Sequence, residues 1–356
     1  MFITGLGTAL PPRRFTQSEI WSALQASPQF NQFSPRSRAL LAKVLTGPSG
    51  IGTRHFAVNR LEDAFELTPD ALHRRFATHA PTLATEAAER ALADAGTAAG
   101  DIDAVLVSTC TGYLCPGLTS YVSERLGLRS DVLALDLVGQ GCGAALPNLR
   151  NAEALVSSGR CRRVLSVCVE VCSAAVFLDD DPGVLISACL FADGAGAAVV
   201  ADEPNGLGRR VEWMCARSML SPAERDLLRF EQKGGLLRNL LTPSVPKLAA
   251  RHAGTVLDEV LAQTGLTREC IATWIWHAGG RDVLRALRDR LGMSEANLCW
   301  STAVLRDVGN VSSPFVLFAL QRALAQRAPG GFWWLSAFGA GFSCHGALLK
   351  VDEASR

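Results

Sequence analysis

The sequence predicts a duplicated α/β fold, and three observations predict it. Short runs rich in Val, Ile and Leu alternate with Ala/Leu-rich helical patterns along the 356 residues, as expected where strands lie between helical layers. These runs are mostly apolar instead of alternating with polar residues, which buries both of their faces. One order of elements also occurs twice. A strand, a polar residue opening a helix, a second strand, a Gly-rich turn and a third strand run from Ala104 to Val200; the same order runs from the strand ending at His277 to Leu349. Such a repeat points to a site between the two copies.

The candidate strands are Phe2 to Leu6, Ala104 to Ser108, Val132 to Leu137, Arg163 to Val169, Ala197 to Val200, Thr273 to Trp276, Phe332 to Ser336 and Ser343 to Val351. Thr82 to Ala95 reads as a helix closed by Gly96, a residue suited to the left-handed conformation past a helix end. Pro246 to Gln263, Arg281 to Arg290 and Pro314 to Gln326 read as helices too, Pro314 serving as a first helical residue. The more polar stretch from Asp202 to Arg251 reads as the connection between copies. The halves are therefore 1–210, carrying a nucleophilic cysteine, and 211–356, carrying a histidine and an asparagine.

Bulk properties narrow the function. With 35 basic and 34 acidic residues the net charge is +1, so no long-range field favours nucleic acid or an anionic membrane. Eleven cysteines, an odd number set mostly in apolar runs, read as reduced thiols of a cytoplasmic protein. The N-terminus has its positive charge after a short apolar stretch, the reverse of a signal peptide. No run approaches the roughly 20 apolar residues of a membrane span.

Three segments could carry chemistry. Gln140-Gly141-Cys142-Gly143-Ala144 places a cysteine between glycines, after a strand and before a helix. Glycines permit a tight turn and close ligand approach, and a helix N-terminus favours the thiolate. Pro147 should distort the first turn of that helix. His277 ends the apolar run Ile271 to Trp276 and precedes Ala278-Gly279-Gly280; it reads either as a structural residue or as the partner sharing the thiol's proton. His55, His73, His79 and His252 look like surface residues, and His345 looks like core. Asn310, in Gly309-Asn310-Val311-Ser312-Ser313, is either a helix cap or a donor aimed at an oxyanion. No cysteine pair has the spacing of a metal site, and neither a dinucleotide fingerprint nor a phosphate loop is present.

Taken in order, Gly141-Cys142, Trp276-His277-Ala278-Gly279-Gly280, Gly309-Asn310-Val311-Ser312-Ser313 and Phe338-Gly339-Ala340-Gly341-Phe342 resemble the chalcone-synthase-like type III polyketide synthases. Thr111-Gly112-Tyr113-Leu114-Cys115-Pro116-Gly117 and Leu190-Phe191-Ala192-Asp193-Gly194 are similar to two further motifs of that family. The resemblance implies a thiolase fold with five αβαβα layers, a homodimer, and no cofactor beyond CoA thioester substrates. It implies a catalytic triad of Cys142, His277 and Asn310, with Phe191 as gatekeeper between a pantetheine tunnel and a cavity. A Cys142 thiolate, ion-paired with His277, would take a starter from acyl-CoA; malonyl-CoA would then lose carbon dioxide and its enolate would attack the bound acyl group. Cyclisation would give an aromatic or pyrone product.

The same resemblance places Cys110, Thr111, Cys115, Cys172, Ala175 and Ser187 at the cavity, with cysteine or alanine at 110, 172 and 175 where plant enzymes have threonine. Small, less polar walls suggest a roomier pocket and an aliphatic or bulky starter. Arg36, Arg38, Lys43 and Arg54 flank Gly50-Ile51-Gly52 and are candidates for the CoA phosphates or else a solvated basic face. Ketoacyl-ACP synthase III shares the expected fold and triad types, but usually has His-Gln-Ala-Asn where this chain has His277-Ala-Gly-Gly280. Biosynthetic thiolases use a second cysteine, and Cys344 lacks the flanking glycines. A non-catalytic thiolase-fold partner subunit would have no need to keep all three polar residues.

Overall fold

The structure, a computed structural model, describes residues 1–353. Thirteen strands follow in chain order: β1 (Phe2–Ala9), β2 (Arg14–Thr16), β3 (Thr53–His55), β4 (Ala104–Thr109), β5 (Leu133–Val138), β6 (Arg163–Glu170), β7 (Gly194–Ala201), β8 (Val211–Leu220), β9 (Leu228–Lys233), β10 (Leu236–Leu241), β11 (Ile271–Trp276), β12 (Gly331–Gly339) and β13 (Ser343–Val351). Nine of them form one hydrogen-bonded series in the order β11-β12-β13-β8-β1-β7-β6-β4-β5.

The series contains one pattern twice. β4 and β6 are parallel, β6 and β7 antiparallel, and β7 and β1 antiparallel; likewise β11 and β12 are parallel, β12 and β13 antiparallel, and β13 and β8 antiparallel. The two ladders meet at one register pair, Phe2 with Glu212. Alternation along each strand sends side chains into two cores. Val105, Val107, Val167 and Ala197 face the helix Pro69–Ala95, whereas Leu106, Val164 and Ala198 face the helices Ala145–Ser157 and Phe315–Ala325 between the ladders. Val245–Thr264 covers the outer face of the second ladder. The result is the five-layer αβαβα arrangement.

Glycine decides how closely the outer layer sits. A Cβ on Gly7 would lie 2.1 Å from the Ala87 carbonyl oxygen, and one on Gly5 2.3 Å from that of Ala91. The facing helix answers with buried Ala80, Ala84, Ala87, Ala88 and Ala91. That helix begins at Pro69, behind a Thr68 cap, and runs through Pro81, so the expected start at Thr82 is too late. Proline imitates a helix start locally, but packing carries the helix past it.

The stretch from Asp202 to Arg251 is more than a connection. It supplies β8, paired along its length with β13, and the hairpin β9–β10. Gly234 and Gly235, both with positive φ, make its two-residue turn, for which glycine pairs are suited.

Candidate active site

Cys142 lies in a single 3₁₀ turn, Gly141–Gly143, directly ahead of the helix Ala145–Ser157. Pro147 therefore falls in the first α-helical turn, where an N–H has no intrahelical partner, and the helix runs unbroken from Ala145 instead of showing the expected distortion. The turn is clamped by the Gly-rich segment after β12. A Cβ on Gly141 would stand 2.9 Å from the Ala340 nitrogen, and one on Gly339 2.1 Å from the Gln140 carbonyl oxygen. Two glycine loops from the two halves thus interlock at the sulfur.

His277 follows β11, its N–H donating to the Ser336 carbonyl at 2.8 Å. Its ring is packed edge-on by Phe315 at 5.3 Å and Phe338 at 6.4 Å, and its Nδ1 is buried without a partner. Asn310 is held at both ends of its amide: Oδ1 accepts from the Ser312 N–H at 2.9 Å, and Nδ2 donates to the Gly279 carbonyl at 3.2 Å. One Nδ2 hydrogen remains for a ligand. The turn after it puts Ser312 at φ +60°, a conformation uncommon for residues other than glycine. Ser312 Oγ then donates to Cys142 Sγ at 3.2 Å.

Burial governs the resting charges. It pushes the Cys142 thiol up to about 12, with the Ser312 donor pulling it down and the Glu170 charge pushing it further up. It brings the His277 imidazole down to about 3. Desolvation at a sulfur set this deep opposes the pull of the helix start on the thiol. Neither charge is favoured alone.

Sequence reasoning missed Glu170. It ends β6 fully buried beneath the site and accepts from Ser313 Oγ at 2.5 Å, Thr111 Oγ1 at 2.9 Å and the Cys110 N–H at 3.0 Å. Cys110 Sγ is 3.3 Å from the same carboxylate. Burial raises the Glu170 pKa and these donors oppose the rise. The signal was available as a lone acid closing the apolar run Val167-Cys168-Val169, since such a charge is kept only where donors surround it.

Phe191 adjoins Asn310 through the backbone. The Asn310 N–H donates to the Leu190 carbonyl at 3.0 Å and the Ala192 N–H to the Asn310 carbonyl at 2.8 Å. Arg54 lies beneath: it is 1% exposed and donates to the carbonyls of Ala188 and Phe191 at 2.7 and 2.9 Å and to Gln17 Oε1. Buried and bonded to these carbonyls, it holds the backbone at Phe191 from within the protein, which removes it from the CoA-phosphate candidates. Arg38 donates to the Asn31 carbonyl, while Arg36 and Lys43 are exposed on the helix Pro35–Thr46.

Thr111, Cys172, Ala175, Ser187 and Phe191 line one chamber with Ser312. It is small, about 50 Å³, with Phe177 and Phe230 among its walls. Cys110 lines a neighbouring, more open cavity of about 610 Å³ that shares Thr111 and Phe230. Cys115 is exposed and lines neither. All eleven cysteines are free thiols, and Cys270 and Cys299 are exposed too. His73 is exposed and His345 is buried, but His252, expected at the surface, is 5% exposed and bonded to Glu224 at 2.6 Å. No helix among the described residues is long and apolar enough to cross a membrane, and no group of three metal-ligating side chains forms among them.

Comparison with known proteins gives matches to both the sequence and the fold. Residues 52–204 match the family of chalcone and stilbene synthases, N-terminal domain, and residues 261–351 match the C-terminal region of 3-oxoacyl-[acyl-carrier-protein] synthase III. A 1,3,6,8-tetrahydroxynaphthalene synthase of Streptomyces peucetius is 32% identical over 98% of this chain and 92% of its own length. An alpha-pyrone synthesis polyketide synthase-like protein of Mycobacterium tuberculosis is 29% identical over 98% and 91%. The crystal structure of the bacterial type III polyketide synthase 1,3,6,8-tetrahydroxynaphthalene synthase from Streptomyces coelicolor superposes with a TM-score of 0.88 at 26% identity, covering 99% of this chain and all of that one. With full-length relatives that share both sequence and the layered fold, this chain belongs to the type III polyketide synthases, acyltransferases that build polyketides by iterative condensation.

Proposed function

We propose that Cys142, His277 and Asn310 carry the condensation, with a CoA-linked starter on Cys142 and malonyl-CoA as extender. The observation that supports this reading is a chain of hydrogen bonds that runs from the clamped turn to the backbone next to His277. Cys142 is bonded to Ser312, Ser312 to Asn310, and Asn310 to the Gly279 backbone beside His277. His277 takes the thiol proton as Cys142 attacks the starter thioester, CoA thiolate leaving with a proton. No partner on Nδ1 fixes one tautomer, so the ring can accept that proton and later donate. During decarboxylation His277 and the free Asn310 N–H donate to the thioester oxygen as charge develops there, and the enolate then attacks the Cys142 thioester. Each half of the chain, 1–210 and 211–356, brings part of the site.

Hexanoyl-CoA should leave a hexanoyl adduct of the intact protein's mass, and addition of malonyl-CoA should release carbon dioxide, CoA and extended products. In Cys142→Ala the adduct should vanish. An adduct that persists in the variant would sink the assignment, and a product that appears only with an acyl carrier protein would favour the single-condensation alternative. Arg36 and Lys43 are the cations we propose for the CoA phosphates: they are exposed on a helix packed against the helix Pro182–Leu190 that ends at Phe191.

We also propose a homodimer formed along β5. This strand closes the sheet with an unpaired edge and exposes Leu133, Leu135 and Val138 beside Tyr113 at 71%. An open apolar edge is a pairing surface, and a second copy would continue the sheet. Light scattering should give twice the chain mass for the wild type and a larger monomer fraction for Leu135→Lys; a wild-type monomer would refute the dimer.

A further inference from the structure

Asn239 is out of place by the ordinary logic of burial. In the β9–β10 hairpin it is the one buried residue, 7% exposed, while its neighbours Leu237, Leu240 and Leu241 are partly exposed. A strand that hides an amide more deeply than its leucines is not using that position for packing. Asn239 pairs with Phe230 across the hairpin and, with it, walls the chamber that Phe191 and Ser312 also line. Its Oδ1 is buried without a hydrogen-bond partner, a costly state that a ligand's donor would relieve.

The hydroxyls around it cannot be that donor. Thr111 Oγ1 donates to Glu170, Ser173 Oγ to Asp193, Ser187 Oγ to the Val184 carbonyl and Ser312 Oγ to Cys142. Each has committed its single hydrogen. Asn239 therefore presents an acceptor, and an amide group that donates as well, to whatever enters the chamber.

We propose that Asn239 binds the enolic β-keto unit of the growing polyketide chain, its Oδ1 accepting the enol O–H. This inference rests on the assignment of Cys142 as the acyl carrier. The match is chemical. A saturated acyl thioester has no hydrogen to give to Oδ1, whereas each condensation leaves a 1,3-related oxygen pair that, as the enol, offers one donor and one acceptor. A site that hydrogen-bonds such a group discriminates against a chain lacking it more sharply than apolar walls do. Asn239 is thus a specificity residue for extension and leaves starter loading alone.

The test uses hexanoyl-CoA and malonyl-CoA with the full chain. Asn239→Leu keeps the volume and removes both hydrogen-bonding functions; Asn239→Ser keeps an acceptor. The leucine variant should load hexanoyl on Cys142 to the wild-type extent, judged by intact mass, yet its yield of products with two or more extensions should fall about tenfold, the worth of one hydrogen bond to a buried group. The serine variant should recover part of that yield. Wild-type product ratios in the leucine variant would overturn the proposal, as would an equal loss of loading and extension, which marks a merely structural role. Failure of the wild type to load hexanoyl would instead overturn the assignment of Cys142, and this inference with it.

Discussion

Asn310→Ala should lower malonyl-CoA decarboxylation about 10²–10³-fold, the cost of removing one preorganised oxyanion donor, while Cys142 still takes up a starter. The amide can act only one way round, because Oδ1 already accepts from the Ser312 N–H and Nδ2 already donates one hydrogen to Gly279. Its second Nδ2 hydrogen is aimed without cost at the moment of reaction. Alanine would also loosen Ser312, so Asn310→Asp separates the two roles: aspartate keeps the oxygen that holds Ser312 and lacks the donor. Both variants should lose decarboxylation, and only alanine should slow acyl loading. Carbon dioxide release and adduct mass measure the two steps. Undiminished decarboxylation in both variants would remove Asn310 from the chemistry.

Gly339→Ala should be the most damaging small substitution near the site. The new Cβ would lie 2.1 Å from the Gln140 carbonyl oxygen and 2.9 Å from the Gly143 nitrogen, both backbone atoms of the turn that holds Cys142. No side chain can swing aside, so the turn itself must move. Such overpacking costs about 1–3 kcal/mol, and a displacement near 1 Å can reduce rate about 10²-fold. We expect a lower melting temperature together with slow adduct formation. Gly100→Ala, where nothing lies within 4 Å of the added carbon, should leave both unchanged. Normal loading in Gly339→Ala would show that the clamp is not needed.

The strands legible in advance were those whose residues carry a local signature. β4, β6 and β11 are short apolar runs, and each was recognised within a residue or two of its ends. β8 was not, because Val211 to Leu220 mixes charged and apolar residues and is buried chiefly at Val211 and Trp213; its strand character comes from pairing with β13. The hairpin β9–β10 had a signal in Gly234-Gly235 that an apparent polar connection obscured.

For the site, a cysteine between glycines, a histidine at a strand end and an asparagine before serines made Cys142, His277 and Asn310 candidates, and the resemblance in motif order implied that they act together. Tertiary structure alone decided what surrounds them. Arg54 looked like one more surface cation and turned out to be bonded beneath Phe191. Glu170 looked like a strand end and turned out to be a buried acid bonded to Ser313, 143 residues away in sequence. Asn239 looked like part of a linker. The physical reason is the same in each case: burial and hydrogen-bond partners across long sequence separations are set by how layers stack, and nothing in the spacing of neighbouring residues encodes them.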